Sequence, residues 1–195
     1  MKKLLITGFE PFGGEKINPS WDAVCRLPDS IGEYQLFKRL LPVTFTGAAR
    51  CALEAAAEIG PHAILCIGQA GGREAITPEL VAINLRHAKI PDNDGYQPQD
   101  EPIREGGDCA YFSTLPMRSI AEAMSAEGFP ARLSYSAGAY VCNDLLYTLL
   151  SHFEGSKTKV GFLHVPYSTE QKKEPSMPLD RIVQALTVAV ERLEE

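Results

Sequence analysis

Ser136-Ala-Gly-Ala-Tyr-Val-Cys-Asn-Asp-Leu-Leu-Tyr-Thr-Leu-Leu150 is the stretch from which the rest of the chain is read. Just upstream, Ala131-Arg-Leu-Ser-Tyr135 alternates like a short strand. Ser136-Ala-Gly138 supplies small residues for a turn. From Asn143, the apolar positions Leu145, Leu146, Leu149 and Leu150, with Phe153 beyond, recur at helical spacing. Cys142 therefore falls where a strand has turned into the first residues of a helix. A thiol there meets unpaired backbone N–H groups and the positive end of the helix dipole, and both favour the thiolate. The competing reading is a small buried hydrophobe, the commonest fate of a free cysteine.

The same alternation of strand and helix recurs outward from this stretch. Residues 3–7 read as a buried first strand, followed by the loop Gly8-Phe-Glu-Pro-Phe-Gly-Gly14. Asn18-Pro19-Ser20 starts a helix, with a capping side chain and a proline in the first turn, that runs to about Leu27. Residues 34–43 alternate as a second strand. Residues 46–59 form an alanine-rich helix ended by Gly60-Pro61, and residues 63–67 a third strand opening into Gly68-Gln-Ala-Gly-Gly72. Residues 80–85 read as another short strand. Residues 88–113 show little periodicity, and a loop of that length in a compact domain is functional or a lid. A helix over 115–127, a strand over 159–165 and an amphipathic closing helix over 179–193 complete the chain. This order predicts an α/β fold with a largely parallel sheet, helices on both faces, and ligands at the carboxyl ends of the strands.

Composition narrows the function classes. A chain of 195 residues suits one domain spanning 1–195 with a sizeable core. Hydrophobic residues at 45% and charged residues at 23% are ordinary for a soluble globular protein. The net charge of −6, without a basic run, argues against a nucleic-acid surface. The apolar run after Lys2-Lys3 is too short for a signal peptide, and no stretch approaches a membrane span, so the cytoplasm is the expected compartment. The five cysteines are widely spaced, without zinc-like spacing or a disulfide pattern, and no metal site is expected. Cys25, Cys51 and Cys66 lie on apolar faces and read as core. Cys109, in a polar loop, is the positional rival to Cys142.

A cysteine nucleophile needs a base, almost always histidine, and a group to orient it. Of the four histidines, His62 belongs to the opposite edge of the sheet and His152 lies late on its helix. His87 borders the long loop and stays available. His164, at the carboxyl end of a strand, is the best placed, against the alternative of a hydrogen-bonded core residue. For the orienting acid, Glu79, Asp92, Asp94, Glu101 and Glu105 are equally available on spacing. Glu79 also reads as a first-turn acid after a Thr77 cap and Pro78. The loop at Gly8 lacks dinucleotide and P-loop spacing. Its two phenylalanines suit either a flat uncharged ligand between apolar walls or a plug at the sheet edge.

Several stretches together settle these choices. Gly8-Phe-Glu-Pro-Phe-Gly-Gly14 with Asn18-Pro-Ser-Trp21, Gly68-Gln-Ala-Gly-Gly-Arg73, Pro91-Asp-Asn-Asp-Gly95 and Ser136-Ala-Gly-x-x-Val-Cys-Asn143 resemble the pyroglutamyl peptidase I (pyrrolidone-carboxylate peptidase) family. Phe162-Leu-His-Val-Pro166 is similar to its histidine segment. The resemblance covers essentially the whole chain. It implies a three-layer α/β/α sandwich and a cysteine exopeptidase that removes an N-terminal pyroglutamyl residue from peptides through an acyl-enzyme. By motif it implies Cys142 as nucleophile, His164 as general base and acid, and Glu79 as the residue orienting the imidazole. Phe9 and Phe12 resemble the ring's apolar walls, Asn18 and Gln69 border the same pocket, and Tyr140 and Val141 complete it. It further implies no cofactor and a homotetramer. Lys89 stands where many members carry arginine, and Tyr140 where many carry phenylalanine. The rival readings are another cysteine amidase of the same architecture and a non-catalytic small-ligand-binding module.

Overall fold

The computed structural model describes residues 1–194. Its strands in chain order are β1 (Lys2–Phe9), β2 (Ser30–Ile31), β3 (Tyr34–Leu41), β4 (Ala63–Gln69), β5 (Thr77–Glu79), β6 (Val81–Ile83), β7 (Ala110–Phe112), β8 (Lys159–Val165), β9 (Tyr167–Ser168) and β10 (Ser176–Met177). Its α-helices are α1 (Pro19–Arg26), α2 (Gly47–Ile59), α3 (Met117–Ala126), α4 (Val141–His152) and α5 (Leu179–Glu191). The central sheet has the order β2-β3-β1-β4-β8-β5. Its four inner strands are parallel, and β2 and β5 run antiparallel at the edges.

Alternating side chains of the inner strands feed two cores. Leu4, Ile6, Leu65, Ile67 and Leu163 face the layer of α1, α3 and α5, whereas Leu5, Ile64, Cys66, Val160 and Phe162 face α2 and α4. Burial on both faces explains why β1 and β4 read as continuous apolar runs. Leu4, Leu5 and Ile6 are fully buried, and each such side chain contributes about 1.5–3 kcal/mol. The architecture is the mixed α/β sandwich expected from the sequence.

The chain leaves β1 through α1 toward β3 on one side, then crosses the other face through α2 to β4 on the opposite side of β1. Connections thus diverge between β1 and β4, and a crevice opens at their carboxyl ends, where Phe9 and Gln69 lie. Gly8 lets α1 press against this end: a Cβ there would lie 2.6 Å from the Trp21 Cα. The Ser20 hydroxyl accepts the Phe9 N–H at 3.0 Å, and Asn18 caps α1 by accepting the Ser20 N–H at 3.1 Å.

Several local readings change. Glu79 lies on strand β5, not in the first turn of a helix. The 131–135 segment is extended beside β5, but it forms only isolated bridges. Ile76 N–H, Arg132 N–H, Ser134 N–H and Leu80 N–H all reach across this pair. The missing rung is that of Pro78, which has no N–H to give. The strand read over 80–85 is β6, and it pairs outside the central sheet with β7, which arises inside the long loop. That loop is tied down: the Asp92 carboxylate accepts the N–H groups of Phe45, Asp94 and Tyr96. Cys25 is exposed, because the buried face of α1 is set by Ser20, Ala23 and Val24. Cys51 is half-buried and Cys66 buried.

Candidate active site

Cys142 is the second residue of α4. The carbonyl of Tyr140 accepts the N–H groups of both Asn143 and Asp144, while the Val141 and Cys142 N–H groups have no partner among the described residues. Two neighbours of the cysteine hold this turn in place. The Asn143 amide accepts the Ile83 N–H at 2.9 Å and donates to the carbonyls of Ile83 and Leu85 at 2.9 and 3.0 Å, zipping α4 to β6. The fully buried Asp144 carboxylate takes Arg86 Nε at 2.6 Å and the Thr46 N–H at 3.0 Å.

The sulfur rests over Gly68. A Cβ on Gly68 would lie 3.0 Å from Cys142 Sγ and 2.6 Å from Phe162 Cζ, so only glycine leaves this space open. Gly68 pairs in register with His164 on β8. Paired positions in a parallel ladder direct their side chains to the same face, about 4.8 Å apart. The His164 ring packs 4.7 Å from the Phe162 ring, and Phe162 borders the same Gly68 position as the sulfur.

His164 is nearly enclosed, and its Nδ1–H donates to Glu79 Oε1 at 2.7 Å. This bond places a proton on Nδ1 and leaves Nε2 as the ring nitrogen that the carboxylate does not engage. Glu79 has no exposed surface and is held a second time by Arg73 Nη1 at 2.6 Å. Burial pushes its carboxyl up, but the hydrogen bond and charge of His164, with Ser134 and Arg73, outweigh that and hold it below its usual value. The thiol behaves differently. Burial, then the Glu79 carboxylate and Cys66, push Cys142 up to about 12, against a lowering by Arg73 and a backbone N–H. The expectation of a standing thiolate at the helix start is therefore reversed. The helix terminus is outweighed by loss of water and a carboxylate behind the imidazole.

Phe9, Phe12, Asn18, Gln69, Tyr140 and Val141 come together around one small recess of about 30 Å³, which also touches Val43 and opens on Cys142. Asn18 is committed elsewhere by its cap and by donating to the Glu10 carbonyl at 2.9 Å. The Tyr140 ring stands edge-on to Phe45 at 5.4 Å, and its hydroxyl donates to the Pro91 carbonyl at 3.0 Å. The rival groups are placed apart from His164. His87 pairs with Asp100, His152 meets Phe153 edge-to-face, and Glu101 accepts the Tyr96 hydroxyl. Among the described residues no cluster of three or more His, Cys, Asp or Glu side chains could hold a metal.

The sequence pattern of pyroglutamyl peptidase matches residues 2–195. The chain belongs to the pyroglutamyl peptidase family. It is 51% identical over 193 residues to the pyrrolidone-carboxylate peptidase of Thermococcus onnurineus, covering 96% of each chain. With that of Bacillus cereus it is 46% identical, covering 98% of this chain and 92% of the relative. The crystal structure of Bacillus amyloliquefaciens pyroglutamyl peptidase I superposes with a TM-score of 0.95 at 45% identity, over 99% and 97% of the two chains. The pyrrolidone carboxyl peptidase of Thermococcus litoralis gives a TM-score of 0.95 at 40% identity, over 100% and 94%.

In this member of the pyroglutamyl peptidase family, sequence reasoning missed the supporting residues. Arg73 was visible only as the end of a glycine-rich motif, and its grip on Glu79 depends on how the 70–76 turn folds back. Asn143 followed the cysteine directly, yet its partners lie 60 and 58 residues away. Lys89 is exposed.

Proposed function

We propose that this chain hydrolyses the bond after an N-terminal pyroglutamyl residue, with Cys142 as nucleophile, His164 as base and acid, and Glu79 as the group that orients the imidazole. The observation that carries the reading is the sulfur lying over Gly68, whose ladder partner His164 is pinned by a buried carboxylate, at the mouth of an apolar recess.

Since the thiol is raised by its surroundings, the first step is deprotonation by His164 Nε2 as sulfur attacks the pyroglutamyl carbonyl. Glu79 carries the negative charge that stabilises the imidazolium so formed. The free N–H groups of Val141 and Cys142 at the start of α4 face developing charge on the carbonyl oxygen. His164 then returns its proton to the leaving amine, and afterwards activates the water that releases the acyl group. Pyroglutamate is a neutral lactam, which suits a recess walled by Phe9, Phe12 and Tyr140 rather than by charge. Proline lacks the ring carbonyl and would leave the polar groups of the recess unpaired.

The test compares wild type with Cys142→Ala on a pyroglutamyl anilide and a prolyl anilide. Cleavage of the first substrate alone, abolished in the variant, is the expected result. Equal turnover of both anilides would refute the assignment. Among the described residues no helix is long and apolar enough to cross a membrane. The reading extends to one domain over 1–195, a cytoplasmic location and a homotetramer, supported by the family resemblance and checked by light scattering.

A further inference from the structure

Gln69 lines the recess with a side chain that has two chemically opposite ends, and which end faces the ligand is decided outside the recess. Gln171, in the short 3-10 turn Thr169–Gln171 after β9, accepts the Ser168 N–H on its Oε1 at 3.0 Å. A backbone N–H can only donate, so this contact fixes which end of Gln171 is oxygen. Its Nε2 must then point the other way, where it donates to Gln69 Oε1 at 2.9 Å and approaches the Glu15 carboxylate at 3.4 Å. A carboxylate can only accept, which fixes the same orientation from the opposite side. With its oxygen used, Gln69 has its Nε2 left over, and that group has no partner among the described residues.

From this relay we infer that Gln171 is a positioning residue that makes the recess a hydrogen-bond donor at Gln69, matched to the ring carbonyl of a lactam. This rests on the pyroglutamyl reading and deepens it: the recess selects a ring bearing an acceptor oxygen, and a residue that never touches the ligand sets that preference. A Gln69 without Gln171 could turn its amide and present oxygen to oxygen.

Two variants separate polarity from packing. Gln171→Glu still accepts from Ser168 but offers only oxygen to Gln69, so the Gln69 amide turns to donate outward and shows its oxygen to the ligand. Gln171→Lys gives up the Ser168 contact yet keeps a donor between Gln69 and Glu15. With a pyroglutamyl anilide, Gln171→Glu should raise KM about 10- to 100-fold while kcat changes less than about threefold, the scale of one lost polar contact in a selective pocket. Competitive inhibition by 2-pyrrolidinone should weaken in parallel. Gln171→Lys should stay within about threefold of wild type on both measures, because donation is kept. An unchanged KM in Gln171→Glu, or equal losses in both variants, would overturn the inference even while wild type cleaves the anilide. A wild type inactive on that anilide would instead overturn the activity reading, and this one with it.

Discussion

Gly68 and His164 are partners across the β4–β8 ladder, and the side chain that the first lacks is the space in which the Cys142 sulfur lies beside the second. The sulfur and the imidazole belong to elements remote in sequence, and a single hydrogen atom in place of a methyl group keeps the position between them open.

The first prediction concerns that hydrogen. Gly68→Ala places a methyl group 3.0 Å from the sulfur and 2.6 Å from Phe162. Neither β4 nor β8 can retreat, because both are buried on two faces. Overpacking of this kind costs about 1–3 kcal/mol, and a displacement near 1 Å at the reacting atoms can cost about 100-fold in rate. Calorimetry and kcat for a pyroglutamyl anilide should therefore both fall. Wild-type kcat in this variant would show that the sulfur does not work from its position over Gly68.

The second concerns acid. Glu79 is held below the usual carboxylate value, mainly by His164 against the opposing effect of burial. A carboxyl depressed in the folded state contributes stability that is complete above its unfolded value, about 4.3, and is lost as pH falls through the folded one. Urea unfolding of wild type should therefore weaken below about pH 4.3, and Glu79→Gln should show a shallower acid decline. At neutral pH that variant should keep activity above Cys142→Ala while losing about 10²–10⁴-fold, because an amide can orient the ring but cannot balance its charge. Identical acid profiles would remove Glu79 as the titrating group.

The overall fold was legible because its signals are local. The Asn18 cap, the Gly60-Pro61 stop and the apolar runs of β1 and β4 each need only a few neighbouring residues to be read. The site was legible as far as helix starts and strand ends place Cys142 and His164 on one edge. Beyond that, spacing could not choose Glu79 from five acids, since its partner His164 is 85 residues away. Strand β7 escaped notice because it pairs with β6 outside the main sheet and stays largely exposed. The pull on the thiol was misjudged because a helix terminus is visible in sequence, whereas the carboxylate behind the imidazole is a product of folding.

The third prediction follows from that last point. With burial and Glu79 pushing Cys142 up to about 12, the sulfur of the free enzyme rests as thiol. Inactivation by iodoacetamide should then keep rising between pH 7 and pH 9, since the thiolate is the reacting form. Mass spectrometry after partial labelling identifies the site. A rate that levels off below pH 7 would mean an ion pair already formed at rest, with the imidazolium offsetting the loss of water.

The fourth tests what holds α4, the helix that carries Cys142. Asn143 fills one donor and two acceptors of the 83–85 backbone, and no water-exposed route replaces all three, because the residue is wholly buried. Asn143→Ala strands those groups, and each buried polar group left unpaired costs about 1–3 kcal/mol. Asn143→Asp keeps the acceptor for Ile83 N–H but turns a carboxylate oxygen toward two carbonyls, so it should destabilise at least as much. Both variants should unfold at lower urea. Their kcat should fall more than their KM rises, since the first turn of α4 carries the sulfur and the free N–H groups but only one edge of the recess. Stability within about 0.5 kcal/mol of wild type, the range of an ordinary surface substitution, would show that α4 is anchored by Asp144 and Arg86 instead.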